Sequence, residues 1–155
     1  MTKNRKLIVF AIVATFLLMA TCAFAAEGTI KETKNSDGKA FSALCPAGWN
    51  DFSAEHTPKG MLLFAQGDNA ALYFSKPYFV VEYQASFKLN LNNIKGEDVT
   101  YDIGGQIWNG KYDAQYNTIY LVTILKAGGS FGVNVGKVDK DGDLIKDFLA
   151  SIKAK

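Results

Sequence analysis

The residues able to do nucleophilic, acid–base or metal chemistry are few, and their spacing limits each of them. Beyond the first 25 residues the chain has one cysteine, Cys45, and its only histidine, His56. A thiol nucleophile needs a base within hydrogen-bond reach. These two are separated by Pro46 and Gly48, and no nucleophile signature surrounds either. One Cys and one His cannot close a tetrahedral zinc site, and His56 lacks a haem attachment motif. Cys45 ends the run Phe41-Ser-Ala-Leu-Cys45, where a strand is expected, and reads as a buried, inert thiol. Asp139, Asp141 and Asp143 stand at alternate positions, like the first three oxygens of an EF-hand loop. Leu144 occupies the place of that loop's glycine and Ala150 the place of its bidentate glutamate. The cluster therefore reads first as a helix cap, with Asp139 or Asp141 accepting from free backbone N–H groups, and second as a weak calcium site. Gly104-Gly105 and Gly128-Gly129 belong to no phosphate-binding fingerprint. Asp98 and Asp102 read as a solvated strand face. No catalytic residue and no cofactor is assigned.

The aromatic residues are the remaining source of recognition chemistry. Pro46-Ala-Gly48 stops a strand and sets Trp49 at a corner. Trp108, Tyr112, Tyr116 and Tyr120 follow at intervals of four within segments that favour strand and turn. Rings with one polar edge are enriched at binding surfaces, so Trp49, Trp108, Tyr112 and Tyr116 are the candidate ligand- or partner-binding residues. Packing in the core or at its rim is the alternative for each.

The ends of the chain place it in the cell. Thr2-Lys-Asn-Arg-Lys6 is cationic, Leu7 to Met19 is almost unbroken apolar, and Ala23-Phe-Ala25 has the small-x-small form of a signal-peptidase site. Residues 1–25 are read as a signal peptide cleaved after Ala25, giving a periplasmic or secreted protein with no membrane span in the mature chain. Lipidation at Cys22 is disfavoured because Thr21 precedes it. That segment holds three of the 17 basic residues and none of the 15 acidic ones, which leaves 14 against 15. The apparent positive charge belongs to the export signal, and nothing suggests a nucleic-acid surface. Cys45 is then alone, so no intrachain disulfide forms. Residues 26–155 are enough for one globular domain with its own core.

The elements that must position these residues follow from pattern. Thr118–Leu125 and Phe131–Val135, joined by Ala127-Gly-Gly-Ser130, predict a hairpin. Leu144, Ile145, Phe148, Leu149 and Ile152 fall on one helical stripe that must lie on a sheet. Asn35-Ser-Asp-Gly38 predicts a turn into the Phe41 strand. Residues 51–60 read as a loop. Met61–Ala65, Ala70–Phe74 and Tyr78–Tyr83 predict a meander whose third strand is covered on both faces. Residues 85–98 read as a strand carrying Phe87, Leu89 and Leu91, or as a short helix. Val99–Tyr112 reads as a strand bent or bulged at Gly104-Gly105. The expectation is an α+β domain with seven or eight strands, an antiparallel sheet with helices packed on it.

In element order the chain resembles the PsbP-like α/β/α sandwich superfamily. The likeness rests on a strand ending in Pro46-Ala-Gly-Trp49, a meander, Gly104-Gly-x-x-Trp108, a strong hairpin and a closing helix with Phe148-Leu-Ala-Ser-Ile152. The resemblance implies an α/β/α sandwich and an exported bacterial accessory or binding module, acting on a protein partner or small ligand without a common active site. The other readings are a small hydrolase-like periplasmic enzyme with residues scattered over loops, and a weakly calcium-binding envelope protein.

Overall fold

A computed structural model describes residues 27–67, 75–84 and 91–155. The expected signal segment with Cys22 and Ala25, the expected strand Ala70–Phe74, and Phe87 and Leu89 lie outside the described residues.

The chain opens with the expected hairpin. Strands β1 (Gly28–Lys34) and β2 (Ala40–Pro46) pair antiparallel from Gly28↔Pro46 to Lys34↔Ala40. Asn35 organises the turn between them. Its Oδ1 accepts from the backbone N–H of Asp37 (3.0 Å) and Lys39 (2.9 Å), and Gly38 takes the left-handed φ of 76° that a side chain resists. A third short strand, β10 (Lys153–Ala154), returns from the C-terminus to the other edge of β2.

The remaining strands form one seven-stranded antiparallel sheet. They are β3 (Asn50–Asp51), β4 (Met61–Ala65), β5 (Tyr78–Gln84), β6 (Glu97–Ile103), β7 (Gln106–Asp113), β8 (Thr118–Ile124) and β9 (Ser130–Gly136), in the spatial order β3-β4-β5-β9-β8-β7-β6. β4 pairs directly with β5, from Met61 against Glu82 to Ala65 against Tyr78. β5 is not buried on both faces. It alternates, with Phe79, Val81 and Tyr83 in the core and Val80, Glu82 and Gln84 only half-buried. Gly104-Gly105 neither bends nor bulges a strand. Both residues have positive φ (59° and 83°) and close a two-residue hairpin, with Ile103 opposite Gln106.

One face of this sheet carries the core. Helix α2 (Asp143–Ser151) lays Ile145, Phe148 and Leu149 on it, and β2 contributes Phe41, Ala43 and Cys45 beside the helix. The Phe148 ring stacks on Phe79 with centroids 4.0 Å apart and planes 4° apart, and meets Phe64 edge-on at 6.3 Å. Trp49 stacks on the same Phe79 ring at 4.9 Å. Burying side chains of this size contributes about 1.5–3 kcal/mol each. Ser151 fastens the helix to β2: its Oγ accepts from Leu44 N–H (2.9 Å) and donates to the Phe148 carbonyl (2.6 Å).

The expected α+β class, a sheet with packed helices in an α/β/α sandwich, is therefore corrected to a β-rich fold. Ten strands and one nine-residue helix make up most of the described residues, and no second layer of helices packs on the sheet among them. Several causes lie in the chain. The polar segment before β4 yields only a four-residue turn, α1 (Ser53–His56), ended by Pro58 and Gly60. Leu91–Asn93 makes only a three-residue 3-10 turn. The space beside α2 is filled by β2, not by a helix.

The acidic loop also differs from expectation. The residue at the N-cap of α2 is Gly142, and no side chain caps the helix. Asp139 spends its Oδ1 on the backbone N–H of Asp141 (3.0 Å) in a turn one residue earlier, and Asp141 pairs with Lys140 (3.2 Å). Only Asp143 lies in the first helical turn, where its charge complements the helix dipole.

Candidate functional site

Helix α2 stops short of one end of the sheet, and a cleft opens there. After Ser151 the backbone leaves helical geometry at Ile152 (φ −72°, ψ 120°) and runs into β10. Opposite stand the Gly104-Gly105 turn of the β6–β7 hairpin and the start of the β8–β9 turn at Leu125 and Lys126. The space between them is about 570 Å³, within the range of small-molecule sites. Its apolar wall includes Ile103, Trp108, Phe131, Leu149 and Ile152.

The polar groups of the cleft are almost all donors. Thr123 donates to the Ile107 carbonyl (2.6 Å) and accepts from Gln106 Nε2, which leaves Gln106 Oε1 as an acceptor. Lys126 and Lys153 are exposed at the rim, and neither carries an ion pair among the described residues. No Asp or Glu lines the cleft. Trp108 is 1% exposed, and its indole Nε1–H is buried with no hydrogen-bond partner. A buried donor left unpaired costs about 1–3 kcal/mol, and such groups are rare enough to call for a cause.

The four aromatic residues proposed as a binding surface do not converge. Trp49 is half-buried and belongs to the stack on Phe79. Trp108 lies in the cleft wall. Tyr112 and Tyr116 do come together, at a shallower depression of about 390 Å³ that includes Lys95, Glu97 and Asp113. Tyr116 is 60% exposed in the β7–β8 turn, which Asp113 Oδ1 holds by accepting from Gln115 N–H (2.9 Å). Tyr112 is half-buried with Lys140 Nζ 5.8 Å from its ring centroid.

Sequence reasoning missed Gln106, Thr123, Lys126 and Lys153. No local motif joins positions 106, 126 and 153. Their proximity depends on the β6–β7 and β8–β9 registers and on the return of the C-terminus to β2. The one readable signal was the pair of Gly-Gly turns.

The thiol and imidazole stay apart in role. Cys45 is 5% exposed, with Sγ 3.6 Å from the Trp49 carbonyl and 3.9 Å from that of Pro46. Burial raises its pKa, Asp51 adds to the rise, and Lys31 partly opposes it. His56 is exposed on α1, beside the Phe52 ring and 3.7 Å from Glu55. Among the described residues no group of three or more His, Cys, Asp or Glu is arranged to hold a metal ion. Tyr101 donates to the Lys140 carbonyl (2.8 Å), and burial, with Asp141 and Asp139 nearby, pushes its pKa up to about 12.

Comparison with protein-family models, curated proteins and solved structures gives no match. No helix among the described residues is long and apolar enough to cross a membrane.

Proposed function

We propose that the chain is an exported, non-catalytic binding protein that takes a small molecule in the cleft beside Trp108. The observation that carries this reading is the buried, unpartnered Trp108 Nε1–H in the wall of a cleft of about 570 Å³. A ligand acceptor that gained access to it from the cleft would satisfy that donor, and the apolar wall would shield the bond from water. Export rests on the cationic start, the apolar run and Ala23-Phe-Ala25. The hydrolase reading draws less support: a thiol whose pKa is raised by burial is a poor nucleophile, and the exposed His56 makes its contacts with Phe52 and Glu55.

The test is an amide footprint by NMR on the protein as exported, with octanoate, octanol and octylamine as separate probes. Shifts gathered at Gln106, Thr123, Lys126, Ile152 and Lys153 with at least one probe are expected. Absence of shifts at these residues with all three probes up to about 10 mM, weaker than which a small-molecule site has little meaning, contradicts the reading. So does a footprint centred on Tyr112 and Tyr116.

A further inference from the structure

We infer that the ligand of this cleft is a small amphipathic anion, an apolar body ending in a carboxylate. The inference rests on the binding reading above and goes further by fixing the ligand's chemistry.

Three features of the cleft bear on the choice. The first is the type of its unspent polar side chains. An indole N–H can only donate, and a lysine ammonium can only donate. Gln106 gives its Nε2 to Thr123 and keeps Oε1 as an acceptor, but donors still prevail, in Trp108, Lys126 and Lys153. A ligand made of donors would leave all three unmatched, whereas an acceptor matches each of them.

The second feature is charge. Two cations and no carboxylate side chain line this cleft, although the 15 acidic residues are numerous in the chain as a whole. Elsewhere on the described surface some lysines sit beside carboxylates, Lys111 with Asp98, Lys140 with Asp141, Lys146 with Asp143 and Lys155 with Glu32, and others, such as Lys34 and Lys39, do not. Lys126 and Lys153 have no carboxylate neighbour among the described residues, and Trp108 beside them holds a buried, unpaired donor. A neutral alcohol would satisfy Trp108 and make no use of the two ammonium groups. A carboxylate is an acceptor suited to each of the three, and its bonds to the ammonium groups are charge-assisted, about twice as strong as neutral ones.

The third feature is the wall. Ile103, Leu125, Phe131, Leu149 and Ile152 offer an apolar surface to the rest of the ligand. A hydrated inorganic anion would meet that surface with nothing to bury. An alkyl or aryl body gains about 0.8 kcal/mol for each methylene removed from water.

The experiment is calorimetric titration of the exported protein with octanoate, octanol and octylamine, repeated on Lys126→Gln/Lys153→Gln and on Trp108→Phe. The two lysines are exposed, so their replacement leaves the fold intact and keeps the test valid even where Trp108→Phe folds poorly. Octanoate is expected to bind at least about tenfold tighter than octanol, the effect of one charge-assisted bond, and octylamine is expected to bind weakest. The double glutamine variant should bring octanoate to the level of octanol and leave octanol unchanged. Trp108→Phe should weaken octanoate by about tenfold. Octanol binding as tightly as octanoate, or a preference for octanoate that survives the double substitution, overturns the anionic class while the cleft itself still stands. Failure of every probe to bind in the cleft overturns both readings.

Discussion

The two tryptophans lie against the same core and have opposite fates. Trp49, half-buried, stacks on Phe79, which in turn stacks on Phe148 of α2, so its ring is part of a closed pile of aromatic faces. Trp108 is the more deeply buried of the two, yet its one polar atom is left unpaired at the end of the sheet that α2 does not reach. Depth of burial alone therefore does not separate the two rings. A ring stacked into the pile supports the fold, while a ring with an orphan donor beside an open cleft is the one we propose as the site. The difference comes from where the helix ends. Ser151 ties its last turn to Leu44, and the chain then leaves for β2.

The contrast can be broken most forcefully at the closed side. Phe148→Ala removes a fully buried ring from the pile and is expected to cost about 3–5 kcal/mol in chemical denaturation; a loss under about 1 kcal/mol would mean that the pile is not a tight packing unit. Ser151→Ala leaves the Leu44 N–H without its partner and should cost about 1–3 kcal/mol. Because this bond sets where α2 stops, the variant should also broaden the amide signals of Ile152 and Lys153 at the cleft rim. Unchanged signals there would separate the clasp from the cleft. The smallest effect is expected at the start of the helix. Tyr101 ionises at about 12 in the folded chain against about 10 when unfolded. The folded state therefore holds the phenol proton more tightly, and the stability this gives is present below pH 10 and lost as pH rises through 12. Tyr101→Phe should flatten the alkaline fall in stability over that window, and should cost about 0.5–1.5 kcal/mol at neutral pH through the lost bond to the Lys140 carbonyl.

Much of the scaffold was legible in the sequence. The Asn35 turn, the 118–136 hairpin and the helical stripe through Phe148 each follow from local composition, and each stands where expected. What failed was the layer count. A sandwich needs further packed helices; the one other helix expected, within residues 85–98, shows only the 3-10 turn Leu91–Asn93 among its described residues, and residues 51–60, expected as a loop, add only the four-residue α1. The Asp139 loop failed for a related reason: an Asp side chain can bond its own turn as easily as a helix end, and residue type alone does not say which. Of the site, sequence reasoning found Trp108 by its chemistry but grouped it with Trp49, Tyr112 and Tyr116, which lie elsewhere. Lys126 and Lys153 were illegible because only strand register and the return of the chain to β2 bring them to one cleft.

The most direct measurement is the indole N–H resonance of Trp108 during titration with octanoate, with Trp49 as the internal reference. If a ligand acceptor meets the buried donor, the Trp108 signal moves downfield and saturates with the calorimetric isotherm, while the Trp49 signal stays in place. A Trp108 signal that does not move as octanoate binds, or two indole signals that move together, would contradict the account.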